Sequence, residues 1–267
     1  MMFFAKKCNL CCILQYCSQF SCAFSKLRYH NPHLLHIYCT VQEVYKRIKV
    51  SVISTGDELV NSISKERLNG QIYDANRPML LSLLNSNYLE TIDLGIVKDK
   101  RKDLANKYDE CLSKSDVVIS SGGASDGVED HTQNALKDIG AKCIVWQLAM
   151  KPGKPMAVGL RDKKIIFCLP GNPVAAFVCS KLLIKPLIIK LAGGVNLNPL
   201  SIKLPSGFEH NKKIGRAEYL RAKIVNEDAK TFITLHGRKG AGVISSLTGA
   251  DGIVEIPMEY KSVVKGE

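Results

Sequence analysis

From Lys46 to Leu191 the chain alternates short apolar runs with amphipathic segments, and several of the runs break off at glycine, aspartate or serine. Ile48–Ile53, Glu90–Val97, Asp116–Ser121, Cys143–Leu148 and Ile165–Leu169 read as strands. Arg77–Asn87, Lys102–Ser113, His131–Ile139 and the stretch from Pro173 to Leu191 read as helices. Asn76 suits the N-cap of the first of these, and Asn172, followed by proline, suits the N-cap of the last. Strands alternating with helices predict an α/β domain whose sheet is mainly parallel and covered by helices on both faces. With 46% apolar and 23% charged residues, a wholly disordered or collagen-like chain is excluded.

The pattern changes after Gly193-Gly194. Glu218–Val225, Thr231–Leu235 and Gly252–Pro257 are short β-like runs separated by Gly, Asn and Asp, which predicts a small all-β domain over 195–267. The α/β domain is expected over 46–194. Residues 1–45 form a third zone, cysteine-rich and acid-poor, without a helix or strand period, and read as a divergent or disordered N-terminal segment. Cys8, Cys11, Cys12, His30, His33 and His36 are metal-ligand types, but the paired CxxC spacing of a zinc site is missing. The later Cys111, Cys143, Cys168 and Cys179 stand singly among apolar neighbours, as reduced buried thiols do, so a cytoplasmic location is expected. No stretch is apolar and long enough to predict a membrane span. The net charge of +12 favours anionic ligands. The basic residues are scattered without an aromatic-basic module, so no nucleic-acid partner is expected.

In open parallel sheets, ligands bind where strands end in loops that expose backbone N–H groups and helix N-termini. Four loops fit. They are Ser54-Thr55-Gly56-Asp57-Glu58, Ser120-Ser121-Gly122-Gly123-Ala124-Ser125 running on to Asp130, Lys151-Pro152-Gly153-Lys154-Pro155, and Leu169-Pro170-Gly171-Asn172-Pro173. Glycines let the main chain approach a phosphate, and serine hydroxyls add donors. Lys151 and Lys154 supply positive charge, and Asp57, Glu58, Asp74 and Asp130 supply hard oxygens suited to Mg²⁺. Taken singly, each has a plainer explanation: glycine pairs make turns, and Asp130 with Gln133 forms a capping box.

Taken in order, Ser54-Thr55-Gly56-Asp57-Glu58-Leu59, Ile72-Tyr73-Asp74-Ala75-Asn76, Ser120-Ser121-Gly122-Gly123 with Asp130, Met150-Lys151-Pro152-Gly153-Lys154-Pro155 and Leu169-Pro170-Gly171-Asn172-Pro173-Val174 resemble the molybdopterin molybdotransferase family, MoeA and the C-terminal region of gephyrin. The resemblance implies a molybdopterin-binding type of α/β fold and insertion of molybdate into adenylylated molybdopterin with release of AMP, assisted by Mg²⁺. It implies that Asp130, Asp74, Lys151 and Lys154 are catalytic, and that Asp74 and Asp130 place the metal or the attacking water. Thr55, Gly56, Asp57, Glu58, Ser121, Gly122, Gly123, Ser125, Pro170, Gly171 and Asn172 would bind the substrate. The lysines would offset the charge of molybdate and of the leaving phosphate. A homodimer and hand-over from a molybdopterin adenylyltransferase are the implied partnerships.

Two departures stand out. Family members carry two further domains before the first strand, and these supply a carboxylate across the dimer. Here residues 1–45 occupy that place. The loop Ser125-Asp126-Gly127-Val128-Glu129-Asp130-His131 also differs from the usual Ser-Val-Gly-Glu before the key aspartate, and sets Asp126 beside a phosphate loop. Two other functions stay open on the sequence: a non-catalytic molybdopterin-binding remnant, and molybdopterin adenylyltransferase, whose loop runs Gly-Gly-Thr-Gly where this chain has Gly122-Gly123-Ala124-Ser125.

Overall fold

A computed structural model describes residues 45–61, 66–123, 131–197, 199–237 and 244–267. In chain order the strands are β1 (Ile48–Thr55), β2 (Leu59–Val60), β3 (Ile72–Tyr73), β4 (Leu89–Val97), β5 (Val117–Ser121), β6 (Lys142–Gln147), β7 (Met150–Lys151), β8 (Pro155–Arg161) and β9 (Lys164–Leu169). They continue with β10 (His210–Asn211), β11 (Ala217–Glu227), β12 (Lys230–Leu235), β13 (Gly252–Ile256) and β14 (Ser262–Val263). The helices are α1 (Asn76–Leu83), α2 (Arg101–Lys114), α3 (His131–Asp138), α4 (Pro173–Cys179) and α5 (Lys185–Leu191).

A six-stranded sheet runs in the order β4-β1-β5-β9-β8-β6. Its first four strands are parallel, and β8 and β6 are antiparallel additions. The strands alternate their side chains between two helical layers, as the two-residue period of a pleated strand requires. Val117, Ile119, Phe167 and Leu169 face Leu80, Val174, Val178, Ile184 and Ile188. Val118, Ile166 and Cys168 face Leu104, Tyr108, Leu112 and Leu136 on the other side. Cys111, Cys168 and Cys179 are buried thiols, while Cys143 is only half-buried.

Three sequence expectations are corrected in detail. The first helix ends at Leu83 rather than Asn87, and Asn76 does not cap it: Ala75 holds the cap position without a side-chain bond. Asp74 does that work, its Oδ1 accepting the Arg77 N–H at 3.2 Å. The helix from Pro173 to Leu191 is interrupted by a π turn at Ser180–Ile184. Pro186 has no N–H to return to the preceding turn and its ring crowds the carbonyl there, so the winding widens just before it. Strand β8 was not expected at all.

In the terminal module, β11 lies between β12 and β13 in antiparallel pairing. Asp228 and Ala229 join β11 to β12 with φ of 49° and 59°, the left-handed pair that suits a two-residue hairpin loop. The two-residue strand β7 leaves the α/β sheet and pairs with β11, so the module shares a strand with the loop that precedes β8. The residues from Arg47 to Glu267 belong to one packing unit. No helix among the described residues is long and apolar enough to cross a membrane.

Candidate functional site

The parallel register sets Ser54 of β1 beside Ser121 of β5, and Ser121 beside Leu169 of β9. The three strands therefore end together, and their loops meet along one edge. Gly122 donates its N–H to the Leu169 carbonyl at 3.1 Å. It holds φ at 104°, and a Cβ there would lie 2.1 Å from the Thr55 carbonyl oxygen. A Cβ on Gly171 would lie 3.7 Å from the Gly122 Cα. Thr55, Gly122 and Gly171 thus bring three backbones closer together than bulkier residues would at Gly122. Gly123 is held from behind by Thr132, at the start of α3, whose hydroxyl donates to the Gly123 carbonyl at 2.9 Å.

Asn76 ties this edge across the sheet. Its Nδ2 donates to Ser121 Oγ at 2.7 Å and to the Gly171 carbonyl at 2.8 Å. A carbonyl only accepts, so the amide orientation is fixed and Oδ1 is the free end. Asn76 is 8% exposed, and its Oδ1 has no hydrogen-bond partner among the described residues; the same holds for Asn172 Oδ1. A buried acceptor left unmet costs about 1–3 kcal/mol, so two of them at one edge mark a place where a ligand's donors belong.

Asp74 lies just behind that edge and is 3% exposed. Its Oδ1 accepts from Ser54 Oγ at 3.0 Å and from the Arg77 N–H, and its Oδ2 accepts from Arg77 Nε at 2.9 Å. Arg77 also reaches Asp93. Burial works against the Arg77 charge, but hydrogen bonds to Asp93 and Asp74 outweigh it and raise its proton affinity above the ordinary value.

A group of carboxylates gathers where β1 and β4 end. Asp57 and Glu58 are exposed, and Glu58 folds back over Gly56. Asp99, on the loop after β4, faces Gly123 and Thr55. Burial raises the Asp99 pKa most; His131 pulls it down, the negative charges of Asp57 and Glu58 push it up further, and Thr55 opposes them. No group of three His, Cys, Asp or Glu among the described residues forms a ready cation cage.

A raised Asp99 pKa has a definite sign for stability. Above its folded value the ionised group costs the folded state, and the cost vanishes once pH falls below about 3.9, where both states are protonated. Asp99→Asn is therefore expected to raise the melting temperature by roughly 2 °C at pH 7 and by nothing near pH 3. A lower melting temperature at pH 7 would count against this arrangement.

Because β8 runs antiparallel to β9, the Lys151–Pro155 loop that enters it lies at the same edge as Leu169–Pro173. Gly153 packs against the Cys179 thiol of α4. Lys151 itself reaches the terminal module, its Nζ donating to Glu218 Oε1 at 3.1 Å. Burial raises the Glu218 pKa, but hydrogen bonds from His210 and Lys151 outweigh this and leave it below the ordinary glutamate value.

Of the residues expected from sequence, Thr55, Ser121, Gly122, Gly123, Gly171 and Asn172 come together, with Pro170 buried between Leu169 and Gly171. Ser125 and Asp130 lie outside the described residues. Asn76, Arg77, Asp99 and Thr132 were missed as members of the site. Asp99 was within reach of the strand-end rule, since it follows β4 as Asp57 follows β1.

A glycine-lined carboxyl edge on a parallel sheet, with basic residues on a neighbouring loop, is the place where α/β domains of this class bind their ligands. The chain belongs to the family described as probable molybdopterin binding domain, whose model matches residues 51–190, and the MoeA C-terminal region (domain IV) matches residues 203–267. Among curated relatives, the molybdopterin molybdenumtransferase of Haemophilus influenzae is 35% identical over 88% of this chain and 58% of its own length. The molybdenum cofactor synthesis protein cinnamon of Drosophila melanogaster is 31% identical over 80% of this chain and 36% of its own length. The crystal structure of a molybdopterin biosynthesis MoeA protein from Pyrococcus horikosii superimposes with a TM-score of 0.68 at 32% identity, over 83% of this chain and 53% of that one. The chain thus spans between a third and three fifths of the length of these relatives.

Proposed function

We propose that this chain takes part in molybdenum cofactor synthesis, binding adenylylated molybdopterin and accepting molybdate into its dithiolene with release of AMP. The observation that carries the reading is the glycine edge itself. The backbones of Thr55, Gly122 and Gly171 meet there, and the buried Asn76 and Asn172 acceptors stand unmet beside them. Both neighbouring domains match segments of the molybdenumtransferase architecture in chain order, which favours this function over the adenylyltransferase.

In this reading the Gly122–Gly123 and Gly171–Asn172 turns seat the phosphate side of the pterin. Asn76 and Asn172 accept hydrogen bonds from its N–H groups. Lys151 and Lys154 offset the charge that grows on the leaving phosphate as water attacks the phosphoanhydride. Asp74, turned to Ser54 and Arg77, holds the edge in shape, with its oxygens already accepting three hydrogen bonds. Mg²⁺ needs only one or two carboxylates when substrate phosphates and water complete its shell. The crowded Asp57, Glu58 and Asp99 fit that demand, together with Asp130 as the sequence implies, and a cation there would offset the Asp57 and Glu58 charges that add to the effect of burial on Asp99. Bound Mg²⁺ would neutralise phosphate charge. A homodimer and hand-over from an adenylyltransferase belong to the same reading.

The test incubates the purified 267-residue chain with adenylylated molybdopterin, molybdate and Mg²⁺ and follows AMP. AMP release that requires molybdate and falls about tenfold in Lys154→Ala is the expected result. Tight pterin binding without AMP would leave a binding function only. Failure to bind the pterin at all would end the proposal.

A further inference from the structure

Glu218 belongs to the terminal module, yet its carboxylate is spent on a loop of the α/β domain. Met150 and Lys151 pair in parallel with Ala217 and Glu218, and the Ala217 N–H donates to the Ala149 carbonyl at 2.9 Å. Glu218 then accepts from Lys151 Nζ at 3.1 Å and from His210 Nε2 at 2.8 Å. Burying a carboxylate is costly, and an apolar pair of the same volume commonly serves stability as well or better. Packing alone therefore does not call for this ion at the seam.

The three partners are unequally placed. The Glu218 side chain is 7% exposed and His210 16%, while Lys151 is 59% exposed. Two of the three are anchored in the module, and Lys151 is the one whose side chain stands mostly in solvent. Beyond Lys151 the chain is clamped twice more. Gly153 is pressed against the Cys179 thiol, where a Cβ would stand 2.6 Å from the sulfur, and Leu148 N–H donates to the Lys154 carbonyl at 2.9 Å.

We infer that Glu218 is a positioning residue. From the terminal module it fixes Lys151, and through Lys151 the Lys151–Pro155 loop, for an anionic group at the α/β edge. His210 keeps the carboxylate partnered when the Lys151 ammonium turns towards the ligand, so engaging the anion does not strand a buried charge. The terminal module thereby takes part in the site through one carboxylate. The inference rests on the reading above that the lysine loop meets the phosphate or oxyanion of the ligand.

Binding of adenylylated molybdopterin, followed by pterin fluorescence, tests it in the wild-type chain, Lys151→Met, Glu218→Gln, the double variant and Glu218→Asp. Glu218→Gln is expected to weaken binding five- to tenfold with little change in melting temperature. Glu218→Asp recovers most of that loss, and the double variant binds within twofold of Lys151→Met alone, because one acts through the other. Unchanged binding in Glu218→Gln, or losses that simply add in the double variant, would overturn the inference. If the wild-type chain binds no pterin, the functional reading fails, and hydrogen exchange decides the positioning role by itself. Amides of residues 148–155 exchanging at least fivefold faster in Glu218→Gln, with β5 unaffected, uphold it, and equal rates reject it.

Discussion

Arg77→Met is expected to cost the fold about 3–5 kcal/mol, the usual result of stranding a buried charge by removing its partner. Asp74 is 3% exposed and receives two of its three hydrogen bonds from Arg77, one from the backbone N–H and one from Nε. Methionine keeps the first and fills much of the volume, but leaves the carboxylate without a counter-charge. Asp93, which Arg77 also reaches, loses its partner as well but stands closer to solvent. The melting temperature should drop by roughly 10 °C. Asp74→Asn in the same background should restore most of the loss, since an amide in place of the carboxylate no longer needs the guanidinium. Thermal and urea unfolding of the three proteins measure both. An Arg77→Met protein within about 1 kcal/mol of wild type would mean that Asp74 is solvated or otherwise paired, and the strand-edge geometry would have to be redrawn.

What could be read from the chain follows how local the forces are. Strand β5 announces itself in Val117-Val118-Ile119 because it is covered on both faces, and every residue of it is buried. The four parallel strands were all found, although β4, at the sheet edge, buries only Leu89 fully. Strand β8 escaped because it opens at Pro155, inside a Lys-Pro-Gly-Lys-Pro stretch whose turn chemistry masks the Met156–Leu160 run behind it. Asn76 was read as a cap from its neighbours, Arg77 and Pro78. Its bonds go instead to Ser121 and Gly171, 45 and 95 residues away, which no window of sequence contains. The pairing of β7 with β11 is likewise two residues long and spans 67 positions from Lys151 to Glu218. Asp99 sits in a Lys-Asp-Lys stretch that looks like solvated surface, and only the closure of β4 onto β1 brings it to Thr55 and Gly123. The glycine loops, by contrast, stood out because several of them fall together at strand ends, where a single glycine pair would read only as a turn.

That edge makes the second strong prediction, at Gly122. With φ at 104°, an alanine there is strained before any contact is counted. Its Cβ would stand 2.1 Å from the Thr55 carbonyl oxygen and 3.1 Å from the carbonyl carbon, and backbone cannot rotate aside as a side chain can. Thr55 is also hemmed in: β1 pairs with β4 on one side and with β5 on the other, up to Thr55–Val97 and Ser54–Ser121. Relief must come from displacing the end of β5 away from β1, which disturbs the Gly122 bond to Leu169 of β9 and the Ser121 bond to Asn76 of α1. Gly122→Ala is therefore expected to lose about 3 kcal/mol and more than tenfold in pterin affinity. Gly171→Ala is the internal control for folding. Its φ is not in the left-handed region, and its Cβ would meet only the Gly122 Cα at 3.7 Å, an ordinary contact, so its stability should stay within about 1 kcal/mol of wild type. Thermal unfolding of the two variants side by side separates close backbone approach from a general intolerance of side chains at this edge. Equal stabilities for Gly122→Ala and Gly171→Ala would show that the three strand ends are not seated against one another, and the phosphate seat proposed between them would go with that geometry.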